Sequence, residues 1–168
     1  MAEAIDNYRI GSVSLVLGAT NLGFTDESTT VVVGTEYADI TVDKYGSTLV
    51  DKRVMGRSVT ITTNLKQTSK SDLADVWAKA FPANDGAGVA RIDLAAETND
   101  SMRALGAVLV LKRRNSADAT ENFTFWKAAV TEVGDMALNN EGETLLPVTF
   151  TCFIDETNGL MTFGDSTA

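Results

Sequence analysis

No histidine occurs anywhere in the 168 residues, and that absence removes most of the chemistry a chain of this size could offer. It takes away the usual general base, the Ser-His and Cys-His nucleophile pairs, and the commonest zinc ligand together. The single cysteine, Cys152, has no partner for an internal disulfide. It lies in "VTFTCFID", in step with Val148, Phe150 and Ile154 on one strand face, and reads as a small buried hydrophobe. Asp39 and Asp43 could share a strand face as a carboxylate pair, but period-2 strands place such pairs on solvated faces routinely. The oxygen-rich "DETNG" (155–159) and "NNEGE" (139–143) lack the alternating ligand spacing of an EF-hand and read as turns. "LKRRN" (111–115) is the one dense basic cluster, a solvated or interface patch and not a nucleic-acid site. No residue set calls for catalysis, a metal or a cofactor.

The elements that hold these residues are mostly strands. "SVSLVLG" alternates, with Val13, Leu15 and Leu17 on one face. "TTVVVGTEYADITVD" (29–43) is rich in β-branched residues, with a bulge expected at Gly34. "RSVTITTNL" puts Val59, Ile61 and Leu65 inward and Ser58, Thr60 and Thr62 outward. Further strands are "GVARIDLA", "ALGAVLVLK", "ENFTFWKAAVTEV" and "TLLPVTFTCFID", separated by turn chemistry at "NDGAG" (84–88), "NSAD" (115–118) and "NNEGE". "SKSDLADVWAKAF" departs from this pattern. Leu73, Val76, Trp77, Ala80 and Phe81 form one helical stripe, which Ser69 or Ser71 can cap and Pro82 ends. With no repeat or linker to divide it, the chain is expected to be a single domain. It is mainly β, an antiparallel two-sheet β-sandwich or barrel with one flanking α-helix.

The net charge of −9 argues against a grip on nucleic acid through phosphate neutralisation. The surplus is local: Ala128 to Ala168 holds no Lys or Arg and supplies −7 of it. "MAEAIDNYRI" has neither the basic nor the apolar region of a signal peptide. The longest apolar run, "ALGAVLVL", is too short for a bilayer-spanning helix. A soluble protein made in a cytoplasm is the expectation.

One stretch remains, "TEYADITVDKYGSTLVDKRVMGRSVTITT" (35–63). The segment between Asp43 and Val54 exceeds the two to five residues of an ordinary hairpin loop, and loops of that length are usually functional or disordered. Tyr45, Leu49 and Val50 are apolar enough to dock, and Asp43, Lys44, Asp51, Lys52 and Arg53 offer charges of both signs.

"TEYADITVDKYGSTLVDKRVMG" resembles the hairpin region of tail tube (major tail) proteins of bacteriophages with long, non-contractile tails. The resemblance continues through "GSVSLVLG…NLGFTDESTTVVV" before it, "TITTNLKQTSKSDLADVW" after it, and the closing "LLPVTFTCFID". It implies a two-sheet sandwich with a flanking helix and a long projecting hairpin loop, assembled as hexameric rings that stack into a hollow tube through which the genome passes. It also implies partners: further copies of the chain, tail tip and terminator proteins, and double-stranded DNA in non-binding transit. The place of action would be the virion tail, assembled in the bacterial host cytoplasm, with no membrane involved. Contacts between subunits and rings would come from Asp43, Lys44, Tyr45, Gly46, Ser47, Thr48, Leu49, Val50, Asp51, Lys52 and Arg53, with Arg57 beside them. The N-terminal segment (1–11) and the C-terminal segment (155–168) would join them. Asp39, Asp43, Glu132 and Asp135 are the acids expected at the lumen, and Arg53, Arg57 and Lys112 the cations expected in subunit contacts. The alternative is a non-catalytic immunoglobulin-like binding or virion decoration domain, which would need no assembly loop.

Overall fold

The computed structural model describes residues 13–66, 74, 76, 80–84, 89–94, 101–113, 119–135 and 145–164. Outside them lie the segment 1–11, residues 165–168, the "NSAD" and "NNEGE" turns, and Leu73 and Trp77 of the expected helix. The strands are β1 (Val13–Leu17), β2 (Thr20–Thr41), β3 (Leu49–Lys66), β4 (Ala80–Asn84), β5 (Val89–Leu94), β6 (Ala107–Arg113), β7 (Phe123–Val133), β8 (Leu145–Cys152) and β9 (Met161–Phe163). A one-turn helix, α1 (Met102–Leu105), precedes β6. Seven strands form one antiparallel sheet in the order β6-β1-β2-β3-β8-β7-β9. β6 also pairs with β7, so the sheet curls far enough to lay these two strands side by side. β4 and β5 form a hairpin of their own, joined across the "NDGAG" segment.

Alternation drives the curl. Along β8 every second side chain is buried, from Leu146 through Val148 and Phe150 to Cys152. Val59, Ile61, Thr63 and Leu65 do the same on β3, and Leu15, Leu109 and Phe125 complete the interior from β1, β6 and β7. Each large apolar side chain fully buried there contributes about 1.5–3 kcal/mol. Thr63 is the polar member, and its hydroxyl lies 2.9 Å from that of Thr29. No buried side-chain polar atom among the described residues lacks a hydrogen-bond partner. β9 is fastened to β7 by the tilted ring pair of Phe123 and Phe163, with centroids 4.4 Å apart, and by Trp126 Nε1 donating to Thr162 Oγ1 at 2.9 Å.

Several sequence expectations need correction. Ala74 and Val76 are helical and Val76 enters the core, but Ala80 and Phe81 belong to β4 and not to the helical stripe. Pro82 disfavours helical backbone at Phe81, and as a residue without an amide proton it suits a strand of a two-stranded edge hairpin. Ala104 and Leu105 are in α1 and not in a strand, because Ser101 Oγ accepts the Ala104 amide and caps the turn. β8 ends at Cys152, so Ile154 is exposed and out of step with the core. Gly34 stays in regular register opposite Ser58; the irregularities fall at Asp26/Thr30, Glu36/Tyr37 and Ile40/Thr41. A Cβ on Gly34 would stand 2.5 Å from Ser58 Oγ, so the glycine permits close strand approach instead of a bulge.

Candidate functional site

The largest departure is the segment between β2 and β3. Strand pairing persists to Thr41 opposite Leu49, which places Leu49, Val50, Asp51, Lys52 and Arg53 in β3 and leaves only residues 42–48 as connection. β-branched and aromatic residues on both strands favour this extension. Asp43 opens a 3₁₀ turn (Asp43–Tyr45) past the end of β2, so it does not share a strand face with Asp39. Within the turn the Tyr45 amide donates to Val42 O at 2.9 Å and the Gly46 amide to Asp43 O at 3.2 Å. Gly46 takes φ 65°, a left-handed value glycine adopts without strain. Ser47 and Thr48 complete the tip, both exposed.

The result is a two-stranded arm. β1 pairs with β2 only as far as Phe24, and β8 pairs with β3 only from Val59 onward. Beyond those points Gly34–Thr41 and Leu49–Ser58 pair with each other and with no other described strand. The arm's ten β3 residues extend about 33 Å at the usual rise. On the face that continues the core side, Tyr37 stands opposite Val54 and Asp39 opposite Lys52, whose Nζ is 3.3 Å from Asp39 Oδ1. Asp51 Oδ1 accepts the Lys52 amide at 2.8 Å, and Lys44 Nζ sits 5.6 Å over the Tyr45 ring. Nine of the thirteen large apolar side chains exposed among the described residues lie on β2, the tip or β3 between Val32 and Met55. That concentration makes the arm a patch and not a scatter of ordinary surface residues. Val32, Val33, Tyr37, Val54 and Met55 (70% exposed) escaped the sequence reading. Apolar residues on both parities of "TVVVGTEY", and again in "VMG", were the available signal.

Elsewhere the expected acids separate. Glu132 is exposed on β7 at an irregularity between Val130 and Glu132, and Asp135 is exposed two residues past its end. Glu132 pairs with Thr149, Thr149 with Thr62, and Thr62 with Thr30, so a polar row crosses the outer face of four strands. Lys112 is exposed on β6, far along the sheet order from β3. "DETNG" is a turn, as read: Asp155 and Gly159 bridge each other, and Asp155 Oδ1 accepts the Asn158 and Thr157 amides. Those bonds, with Asn158 first, hold the Asp155 carboxyl below its usual range. Arg103 of α1 clamps the turn, donating from Nε to Ile154 O at 3.2 Å and from Nη2 to Glu156 Oε1 at 2.8 Å. The guanidinium's hydrogen bond, then its charge, lowers the Glu156 pKa.

Burial pushes the Cys152 thiol up to about 12, away from the thiolate a nucleophile needs. No group of three or more Cys, Asp or Glu among the described residues could hold a metal ion, and none of their helices is long and apolar enough to cross a membrane. What the described residues do present is an exposed strand pair rich in apolar side chains.

A family model described as phage tail tube protein matches residues 16–167. The chain belongs to that family. As a tail tube protein it is a structural component of the virion tail. Among solved structures, the tail tube protein is similar to a chain in the cryo-EM structure of the anti-feeding prophage cap, a tube terminating cap, at 14% identity and a TM-score of 0.54. That match covers 96% of this chain and 91% of the other. A chain from the virion of a native gene transfer agent particle matches at 12% identity with a TM-score of 0.48, over 90% and 94% of the two chains. At 14% identity the first likeness is one of fold. The chain matches no curated protein.

Proposed function

We propose that this tail tube protein works by self-assembly: six copies close a ring, rings stack into a hollow tube, and the viral genome passes through an acidic lumen. The curled sheet serves as the sandwich-like wall. Residues 43–53, Arg57 and the terminal segments 1–11 and 155–168 make the contacts between copies, and tail tip and terminator proteins close the ends. The observation that carries this reading is the arm. A two-stranded hairpin alone in water is marginally stable at best. This one also exposes apolar side chains and two backbone edges that no other described strand pairs, a liability on a solitary protein. A neighbouring copy that covers the patch and continues an edge turns the liability into a joint, and a heterologous joint repeated by rotation closes a ring.

For the lumen we favour the outer face of β2, β3, β8 and β7. Its row of Thr30, Thr62 and Thr149 ends at Glu132, with Asp135 near the rim. Asp39, bound to Lys52, and Asp43, at the arm tip, fit better among the contacts.

Shortening the arm tests the reading. Tyr37 pairs with Val54, so replacing residues 38–53 by Asn-Gly joins them through a tight type I′ turn. The expected variant is a folded monomer of near-unchanged thermal midpoint that forms no tubes in negative-stain micrographs, while the parent forms hollow rods. Tubes from the shortened chain, or a parent that stays solitary even with a tail-initiating complex, would sink it. A decoration domain would lose nothing by this shortening.

A further inference from the structure

An open groove of about 770 Å³ lies beside the root of the arm. Val33 and Val59 form one bank, and Phe153, Leu160 and Met161, from the segment after β8, form the other. Arg57 lines the first bank, exposed and in no ion pair with a described residue. The opposite bank includes Asn158 and Gly159 of the turn that bears Asp155 and Glu156. The groove therefore offers an apolar lining with one cation, Arg57, and borders a turn whose acids Asp155 and Glu156 lie outside the lining, the second of them already bound by Arg103.

The arm tip carries the matching set. Tyr45 is 58% exposed, with Val42 and Leu49 exposed beside it. Asp43 and Lys44 flank it on the 3₁₀ turn, and Asp43 makes no ion pair with a described residue. Tip and groove stand at opposite ends of the arm, about 33 Å apart at the usual strand rise. A chain cannot fill its own groove.

We propose that the arm tip of one copy docks in the groove of a second, with Tyr45 on the apolar floor, Asp43 against Arg57, and Lys44 toward the acidic turn. This rests on the self-assembly reading and names the surface the arm grips. The groove lies within the volume range of pockets that enclose a drug-sized occupant, enough for a tyrosine and its neighbours. Tyr and Arg are the residue types most enriched at the energetic centre of interfaces. Because tip and groove are different surfaces, each docking leaves one of each free, and the contact repeats until it closes or runs on.

Two measurements on the full chain decide it. Tyr45→Cys with Leu160→Cys, oxidised during assembly, is expected to give a ladder of disulfide-linked multimers on a non-reducing gel. Parent tubes without a ladder overturn the docking. Arg57→Glu and Asp43→Arg are each expected to cut the sedimenting fraction at least tenfold, and the double variant to restore it. Singles that assemble like the parent, or a double no better than the singles, remove the Asp43–Arg57 pairing. If the parent forms tubes and the shortened arm does not, either failure strikes the groove alone. A parent that forms no tubes strikes self-assembly itself.

Discussion

At Cys152 the environment decides chemistry more than the residue type does: a buried thiol held near 12 is a packing group, equivalent in this core to the Val148 and Phe150 that precede it. Two glycines make the same point through geometry. Gly134 donates its amide to Pro147 O at 2.8 Å, and a Cβ there would stand 2.9 Å from Pro147 Cβ and 3.2 Å from its Cγ. A proline ring cannot rotate away, so Gly134→Ala must move backbone, at roughly 1–3 kcal/mol by analogy with overpacked cores. Gly34→Ala meets only the Ser58 hydroxyl, which can turn to another rotamer, and is expected to cost well under that. Urea midpoints of the two variants check the order, and a Gly34→Ala change as damaging as Gly134→Ala would contradict it. Neither glycine was interpretable from the sequence, where Gly34 looked like a bulge. A residue missing its side chain gives no sign of which neighbour requires the gap.

The elements were legible where a single face met the core. Val13, Leu15 and Leu17, then Val59, Ile61 and Leu65, alternate because one side of each strand is dry, and periodicity records that. It fails where both faces are wet. β2 and β3 run on past the core as an arm, and nothing in the local pattern tells a paired strand from a long loop once neither face is buried. The helix reading failed at Phe81 for a different reason. The stripe carried past the point where Pro82 already demanded extended backbone. The turn after β8 was recognised, but the clamp that fixes it was not, since Arg103 and Glu156 lie far apart in sequence. That clamp has a testable pH signature. Asp155 and Glu156 both titrate below their ordinary values of 3.8 and 4.5 in the folded chain. Their contribution is therefore fully present above those values and is lost as pH falls through the lowered folded ones. Amide exchange at Thr157, Asn158 and Gly159 is expected to rise in that acid window while Phe150 stays protected. Arg103→Ala should weaken the Glu156 part of the effect and leave the Asp155 part, whose hydrogen-bond partners are the Thr157 and Asn158 amides, backbone and side chain, within the turn. Equal loss of protection at the turn and in the core would mean global unfolding and no local clamp.

For the whole molecule the governing quantity is charge placement. A net −9, −7 of it supplied by the last quarter of the chain, would set how the proposed tube meets a duplex. B-DNA bears about one negative charge per 1.7 Å of axis, and each phosphate neutralised by a protein adds to the salt dependence of binding. In the proposed lumen a row of threonines ending at Glu132, with Asp135 near the rim, would neutralise none, and screening over roughly 8 Å at physiological salt would keep repulsion to close range. The proposed lumen should thus pass DNA without gripping it, and the parent tubes are expected not to retain a short duplex on sedimentation. Glu132→Lys with Asp135→Lys changes the charge by +4 in every copy at positions that bury nothing, so folding and assembly should survive. If these residues line the bore, the variant tubes should hold duplex in a nuclease-protected form. That retention should fall steeply with salt, with a logarithmic slope of about −0.9 per phosphate neutralised. Retained but nuclease-sensitive duplex would put both residues on the outside of the tube, and no retention at all would remove them from any surface the genome meets.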